Sequence, residues 1–488
     1  MTRTRTLIAA AVIVAVAVVT SALASARDPS ASLSDRTTAA PGAPNIVLIL
    51  TDDMRADELR YLPQTRKLLV EEGVRFSNAI SPHPMCCPAR AELVSGQYGQ
   101  NNGVKHNTGS WGGIKALNDV DGNVGWWLQV AGYQTSYHGK YLNGYENMRP
   151  RVEPRGWSIW DAQIRGIYSY LHARFADGDR VHGEYVTTTM TDRSGDAIDR
   201  FSDRSAPFFT VINHIAPHVT LSQPHLPRWE KKYGDVARDL RPPSFDAPSF
   251  NEGDVSDLPP GLQFRKANRT RIENLFRARV RSLRSVDDAV AALVEQLDDA
   301  GELDNTYLVF TSDNGYALGE HRVSGKNYLY DEILDVPLVI RGPGFEAGTV
   351  DETPVTLVDL VATFVDWAGA APGHPIDGIS IERLRDKRRA ERDTILVQTG
   401  DTVADSTPGW DYRGVTTSRY LFGYRAGNPR NGILFDRQRD PWALTNRFRD
   451  PEYSVVREEL ARRTKILARC AGDDCNRVFG RLPPLDGN

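Results

Sequence analysis

The chain has 488 residues, a quarter of them charged, and a formal net charge of −4. That length leaves room for a large catalytic core and a smaller second unit. The near balance of acids and bases excludes broad attraction to nucleic acid or to anionic lipid.

In chain order, Arg3 and Arg5 precede an unbroken apolar run from Leu7 to Val19, and Ala24-Ser25-Ala26 then offers small residues for cleavage. This is the layout of a secretory signal peptide cleaved near Ala26. The alternative, a short uncleaved anchor, is disfavoured because the run is short for a bilayer. The expected product is a secreted protein, of expected bacterial origin, with no membrane attachment after cleavage; its excess of Arg over Lys suits a GC-rich genome. Residues 27–44, rich in Ser, Thr, Ala and Pro, read as a linker. Asn45 to Thr51 is a continuous apolar, β-branched run, the pattern of a parallel strand buried on both faces. Pro63 to Gly73 reads as a helix and Val74 to Ile80 as a strand. Further strands are predicted over 133–137, 208–215, 306–311 and 336–340, with helices over 271–300 and 356–368. The Pro-rich stretch 217–261 reads as a long surface loop near a site entrance.

Strands alternating with helices predict an α/β fold: a large mixed sheet flanked by helices on both faces. From about residue 383 the pattern changes to four short strands, over 394–398, 412–417, 420–424 and 433–435, and a polar helix over 454–468. The expected organisation is therefore a leader (1–26), a linker (27–44), a catalytic domain (45–382), and a smaller domain (383–488) of antiparallel sheet plus helix. Cys470 and Cys475 suit a local disulfide in an oxidising compartment. Cys86 and Cys87 are neighbours, whose bridging would be strained.

Three clusters lie where chemistry is expected. Asp52-Asp53 follows the first strand, and Asp313-Asn314 follows the strand that ends near Thr311. Together they form an oxygen-only set suited to a hard cation such as Ca²⁺ or Mg²⁺. Each alone is ordinary turn chemistry; carboxyl ends of strands in one sheet can bring them together. The third cluster, Cys86-Cys87-Pro88-Ala89-Arg90, places Cys86 at a predicted helix N-terminus, where the dipole favours an anion. Arg90 follows one turn on.

On these residues the chain resembles the sulfatase family, whose modification signature is Cys-x-Pro-x-Arg. The likeness runs from Asn45 to Asn446 and takes in Gly139-Lys140, Pro217-His218, Leu318-Gly319-Glu320-His321 with Lys326, and Leu434-Phe435-Asp436 before Asp440-Pro441. Cys86-Cys87-Pro88 and Gly139 to Asn143 are most similar to glucosamine-6-sulfatases and extracellular endosulfatases. The resemblance implies that a formylglycine-generating enzyme oxidises Cys86 during export. It also implies that Asp52, Asp53, Asp313 and Asn314 hold Ca²⁺ (or Mg²⁺), with an oxygen of modified Cys86 completing the set. One hydroxyl of the hydrated aldehyde would attack sulfur, and the other would expel sulfate. Arg90, Lys140 and Lys326 would offset the sulfuryl charge, and His218 would protonate the leaving alkoxide.

Two positions depart from the family pattern. Leu142 stands where many arylsulfatases carry His, which leaves the elimination base open between His138 and a water. Val94-Ser95-Gly96 replaces the usual Leu-Thr-Gly. His214 and His321 are weaker candidates for a site role. The implied substrate is a small sulfate ester: a sulfated amino sugar, a glycosaminoglycan fragment or an aryl sulfate. Trp157, Trp160, Tyr168 and Tyr170 are sugar-stacking or packing residues. The lack of a dense basic run favours exo action on short fragments. Two other functions compete: a phosphodiesterase or phosphonate hydrolase of the same superfamily, and a non-catalytic sugar-binding protein should Cys86 stay unmodified.

Overall fold

The computed structural model describes residues 38–176, 178, 183–204, 206–386, 392–401 and 409–485. The expected leader (1–26) and the first part of the linker lie outside the described residues. Among the described residues, no helix is long and apolar enough to cross a membrane.

Nine of the described strands form one mixed sheet: β1 (Asn45–Thr51), β2 (Val74–Phe76), β3 (Gln134–Gly139), β4 (Ile159–Arg165), β5 (Arg174–Phe175), β6 (Phe208–Asn213), β7 (Thr306–Ser312), β8 (Leu338–Arg341) and β9 (Thr349–Asp351). Their order is β9-β2-β8-β7-β1-β6-β3-β4-β5. The central strands β7, β1, β6, β3 and β4 run parallel, while β8 and β5 pair antiparallel with their neighbours.

The apolar run of β1 is explained by its two covered faces. Ile46, Leu48 and Leu50 pack into one core with α1 (Cys86–Ser95), α2 (Val124–Val130) and α5 (Leu357–Trp367). Val47 and Ile49 pack into the other with α3 (Val186–Ser202) and α4 (Arg269–Asp299). Strict alternation along a strand sends neighbouring residues to opposite faces, so a strand buried on both must be apolar throughout.

The C-terminal sheet has four described strands: β10 (Ile395–Gly400), β11 (Trp410–Thr416), β12 (Tyr420–Arg425) and β13 (Asn428–Asp436), all antiparallel. Val415, Phe422 and Leu434 face α6 (Ser454–Leu467) through Val456 and Leu460. Leu421, Ile433 and Phe435 face Leu329, Tyr330 and Ile333. Cys470 and Cys475 form a disulfide, and Cys86 and Cys87 are buried free thiols.

Some local expectations shift. The strand expected from Val74 to Ile80 is two pieces, Val74–Phe76 and Ala79–Ile80. The helix expected over 63–73 is one short turn, Pro63–Thr65, continued by a wider one, Arg66–Val70. Strands β4 and β5 and helix α3 were not among the expected elements, although α3 carries Val186, Met190, Ala197 and Phe201 at helical spacing. Asp161 and Gln163 put buried polar residues in β4, which breaks the alternation that would mark a strand.

Candidate active site

Strand register assembles the site. Thr51 pairs with Ser312 across β1 and β7, Leu50 with Asn213 across β1 and β6, and Gly139 with Asn213 across β3 and β6. The carboxyl ends of four adjacent strands therefore finish level. The residues that end or follow them are Asp52-Asp53, Asp313-Asn314, Asn213 and Lys140. Close approach requires glycine at 139: a Cβ there would lie 2.3 Å from the Asn213 carbonyl oxygen, at a φ of +92°. Asp53 itself takes a φ of 72°, which costs a residue with a side chain on the order of 1 kcal/mol. Its amide donates to Asp313 Oδ1 at 3.0 Å, and the buried Arg279 bonds both the Asp53 carbonyl and Glu58.

Helix α1 brings in the third cluster, starting at Cys86 itself, with Pro88 in its first turn. Proline fits there because first-turn N–H groups have no helical partner. The Cys86 thiol donates to Asp52 Oδ1 at 3.1 Å, and Lys326 Nζ donates to its sulfur at 2.6 Å. Burial first, and then the Asp52 carboxylate, push this thiol up to about 12. A neutral thiol is a poor nucleophile, so an unmodified Cys86 in this field is not suited to attack.

Every acid of the floor has a cationic partner. Lys140 bonds Asp52, and Lys326 bonds Asp53. Arg90 Nε donates to Asp313 Oδ2 at 2.8 Å, and its Nη1 donates to the Lys140 carbonyl and to Asn213 Oδ1. Burial works against the charge on Lys140, but Asp52 overrides it and raises the pKa. Lys326 is raised in the same way by Asp53. Asp52 is held well below the usual carboxylate range, because Lys140, His218, Arg90 and Lys326 outweigh its burial. Asp313 is the exception: burial and the Asp52 charge push it up to about 6 despite Arg90.

His218 lies over the floor, its Nε2 3.7 Å from Asp53 Oδ2 and its Nδ1 2.7 Å from the Val219 carbonyl. A carbonyl only accepts, so Nδ1 carries a proton and Nε2 faces the acids. Tyr168 stacks on the His218 ring at 4.3 Å between centroids, and Lys140 Nζ stands 4.9 Å from the Tyr168 ring centre.

All nine expected site residues thus meet at one end of the sheet. Other candidates do not. The His138 ring pairs with Asp161 at 3.4 Å, and His321 bonds Glu252 and stacks on Tyr330. His214 is buried, which pushes its pKa down to about 4. Trp157 and Trp160 pack with Tyr137 in an aromatic core, and Tyr170 is fully buried, so of the four candidate stacking residues only Tyr168 reaches the site. Sequence reasoning missed Asn213 and Arg279. Asn213 had one signal, its place at the end of an apolar strand; Arg279 had none.

The site's atoms fit a hard cation. One ligand atom each from Asp52, Asp53, Cys86 and His218 lie within 4.8 Å of one another. The Asn314 Oδ1 is buried and lacks a hydrogen-bond partner, which is costly for an amide oxygen. A cation bound by oxygens would satisfy that oxygen and relieve the repulsion between Asp313 and Asp52.

Residues 44–370 match the family model described as Sulfatase, and residues 319–469 match one described as N-sulphoglucosamine sulphohydrolase, C-terminal. The chain is 32% identical to the extracellular sulfatase SULF-1 homolog of Drosophila melanogaster, over 74% of this chain and 33% of that protein. It is 34% identical to the N-acetylglucosamine-6-sulfatase of Homo sapiens, over 67% of this chain and 61% of that protein. For the arylsulfatase of Volvox carteri the figures are 32% identity, 91% of this chain and 78% of that protein. The chain thus spans from a third to about three-fifths of the length of the first two. In fold it is similar to a protein solved with its substrate D-glucosamine-2-N,6-O-disulfate, with a TM-score of 0.70 and 21% identity over 87% of this chain and 97% of that one. It is also similar to the phosphonate monoester hydrolase of Agrobacterium radiobacter, with a TM-score of 0.65 and 21% identity over 87% of this chain and 95% of that one. With the Sulfatase model matched over residues 44–370, and with 32% identity to an arylsulfatase over 91% of its own length, the chain belongs to the sulfatase family.

Proposed function

We propose that this protein is a sulfuric ester hydrolase that uses a formylglycine made from Cys86 and one bound Ca²⁺ or Mg²⁺. The observation that carries the proposal is the contact of buried Cys86 Sγ with both Asp52 and Lys326 within a cluster that could hold a cation. A hydrated aldehyde at position 86 would supply a hydroxyl nucleophile that displaces the alcohol; loss of sulfate would leave the aldehyde, to be rehydrated by water, and a cation bound beside it would supply Lewis-acid polarisation. Asp52, Asp53, Asp313 and Asn314 would hold the cation. Lys140 and Lys326 sit where negative charge gathers on the sulfuryl oxygens, and Arg90 locks Asp313, Asn213 and the Lys140 backbone in place. Three carboxylates facing three permanent cations leave the floor neutral, so a divalent ion gives it a surplus of positive charge for an anionic ester. His218 Nε2 would deliver a proton to the departing alcohol from the imidazolium form, which burial disfavours and Asp52 and Asp53 favour, with the ring oriented by Val219 and Tyr168.

Similarity to the N-acetylglucosamine-6-sulfatase supports a sulfated amino sugar or glycosaminoglycan fragment as substrate, and similarity to the arylsulfatase supports turnover of aryl sulfates. The apolar run at Leu7–Val19 supports export. A phosphonate monoester hydrolase is the second reading, favoured by the shared fold. Peptide mass around Cys86, on protein secreted from a host able to make formylglycine, tests the nucleophile: an aldehyde mass is expected, and an intact thiol in active protein would overturn it. Sulfate release from N-acetylglucosamine 6-sulfate should exceed turnover of a phosphonate monoester, and the reverse order would install the second reading. Asp313→Ala should lose bound calcium and activity together; full activity after chelation would remove the metal from the mechanism.

A further inference from the structure

Beside the catalytic floor lies an open cavity of about 780 Å³, and Tyr168, the residue that stacks on His218, forms part of its wall. The same wall carries Arg149, Arg151, Arg165 and Arg174, against one carboxylate, that of Glu146. The four arginines come from a loop and from both strands of the β4–β5 hairpin, so no basic run in the sequence marks them. Arg165 and Arg174 stand directly opposite each other in the antiparallel register of β4 and β5. Like charges so placed repel, and among the described residues no carboxylate pairs with either of them. Arg151 adds a buried Nε without a hydrogen-bond partner; its Nη2 and the Nη1 of Arg149 spend bonds on the Glu146 carbonyl.

Unpaired guanidinium groups facing each other across an edge hairpin are destabilising alone and favourable around a bound anion, to which each presents planar paired donors. We propose that this cavity is a second anion subsite, which takes a sulfate or carboxylate group on a neighbouring sugar while the scissile sulfate lies at Cys86. The inference rests on the sulfatase reading and deepens it: the favoured substrate is an oligosaccharide with more than one anionic group, in place of the short fragment that the sequence alone suggested. Tyr168 is the wall shared by the two subsites, with its ring toward His218 and Lys140.

The test compares a heparin-derived sulfated tetrasaccharide with 4-nitrophenyl sulfate, which is too small to span both subsites. In the double variant Arg165→Ala, Arg174→Ala, KM for the tetrasaccharide should rise by about tenfold or more, with 4-nitrophenyl sulfate turnover within about twofold of the parent. Arg165→Lys, Arg174→Lys should recover part of the loss, because charge returns without the planar fork. Unchanged KM for the tetrasaccharide, or equal losses on both substrates, would overturn the subsite. Should the parent protein hydrolyse neither substrate, the sulfatase reading fails by itself. The subsite is then judged by calorimetric binding of the same tetrasaccharide: affinity lost in the double variant upholds it, and undiminished affinity removes it.

Discussion

The catalytic floor and the arginine-lined cavity beside it are both rich in charge, yet they hold it in opposite ways. Asp52, Asp53, Asp313, Arg90 and Lys140 are all at most 2% exposed, and each has a partner of opposite sign. Arg165 and Arg174 are exposed, and each faces a like charge. The buried set is preorganised: its desolvation cost is met within the protein, so it stays ordered before substrate arrives. The exposed set is completed only by a ligand. Removing a charge from the floor should therefore damage fold and activity together, whereas removing one from the cavity should be felt only by a ligand long enough to reach it.

The largest expected effect breaks the floor at its centre. Cys86→Ala should reduce sulfate release to background with a nearly unchanged melting temperature, and appreciable turnover would refute Cys86 as the nucleophile's source. Lys140→Ala comes next, because it removes the nearest cation from buried Asp52 and leaves only the longer contacts to Arg90 and Lys326. It should cost about 3–5 kcal/mol of stability and about 10²–10³-fold in kcat, read by urea unfolding and by sulfate release. A stable, active variant would mean that Lys140 does not balance the floor. His218→Ala should lose about 10²-fold on a sugar sulfate and far less on 4-nitrophenyl sulfate, whose leaving group needs no proton. Equal losses on the two substrates would reassign His218 to binding.

A smaller effect tests how α1 tolerates charge beneath the nucleophile. Both Glu92 carboxylate oxygens are buried, and burial, with Asp377 second, holds this carboxyl well above its usual range even though the Gly99 amide works against it. Its neutral form is thus the one that the fold accepts. The stability it contributes is fully present below the unfolded value near about 4.3 and is lost as pH rises toward the raised folded value. Glu92→Gln escapes that loss, so its advantage in melting temperature over the parent should grow with pH above about 4.3. A pH-independent difference would mean that Glu92 stays charged in the fold. Smallest of all, Arg174→Ala should change stability by no more than about 0.5 kcal/mol, the sign favouring the variant because one repulsion is relieved. A large loss would make the hairpin arginines structural.

How much could be read without coordinates follows the range of the interactions involved. Asp52-Asp53 and Asp313-Asn314 were legible because each follows directly on a strand whose apolar run is unmistakable, and Cys86 because its neighbours Pro88 and Arg90 complete a short motif. The two-faced sheet was legible from Asn45 to Thr51 for the same local reason. Asn213 and Arg279 were not, since a single polar residue carries no pattern; only the level ends of β1, β6 and β3 place Asn213 beside Arg90. Trp157 and Trp160 could not be told from sugar-stacking residues until packing against Tyr137 enclosed them. By itself, then, the sequence determined most of the elements, the two acid pairs at strand ends and the Cys86-Pro88-Arg90 motif, because those depend on neighbours along the chain. Only the tertiary structure decided which lysine balances which acid and which tyrosine lines the site. It alone drew four scattered arginines to one wall, because register and packing set distances between residues far apart in the chain.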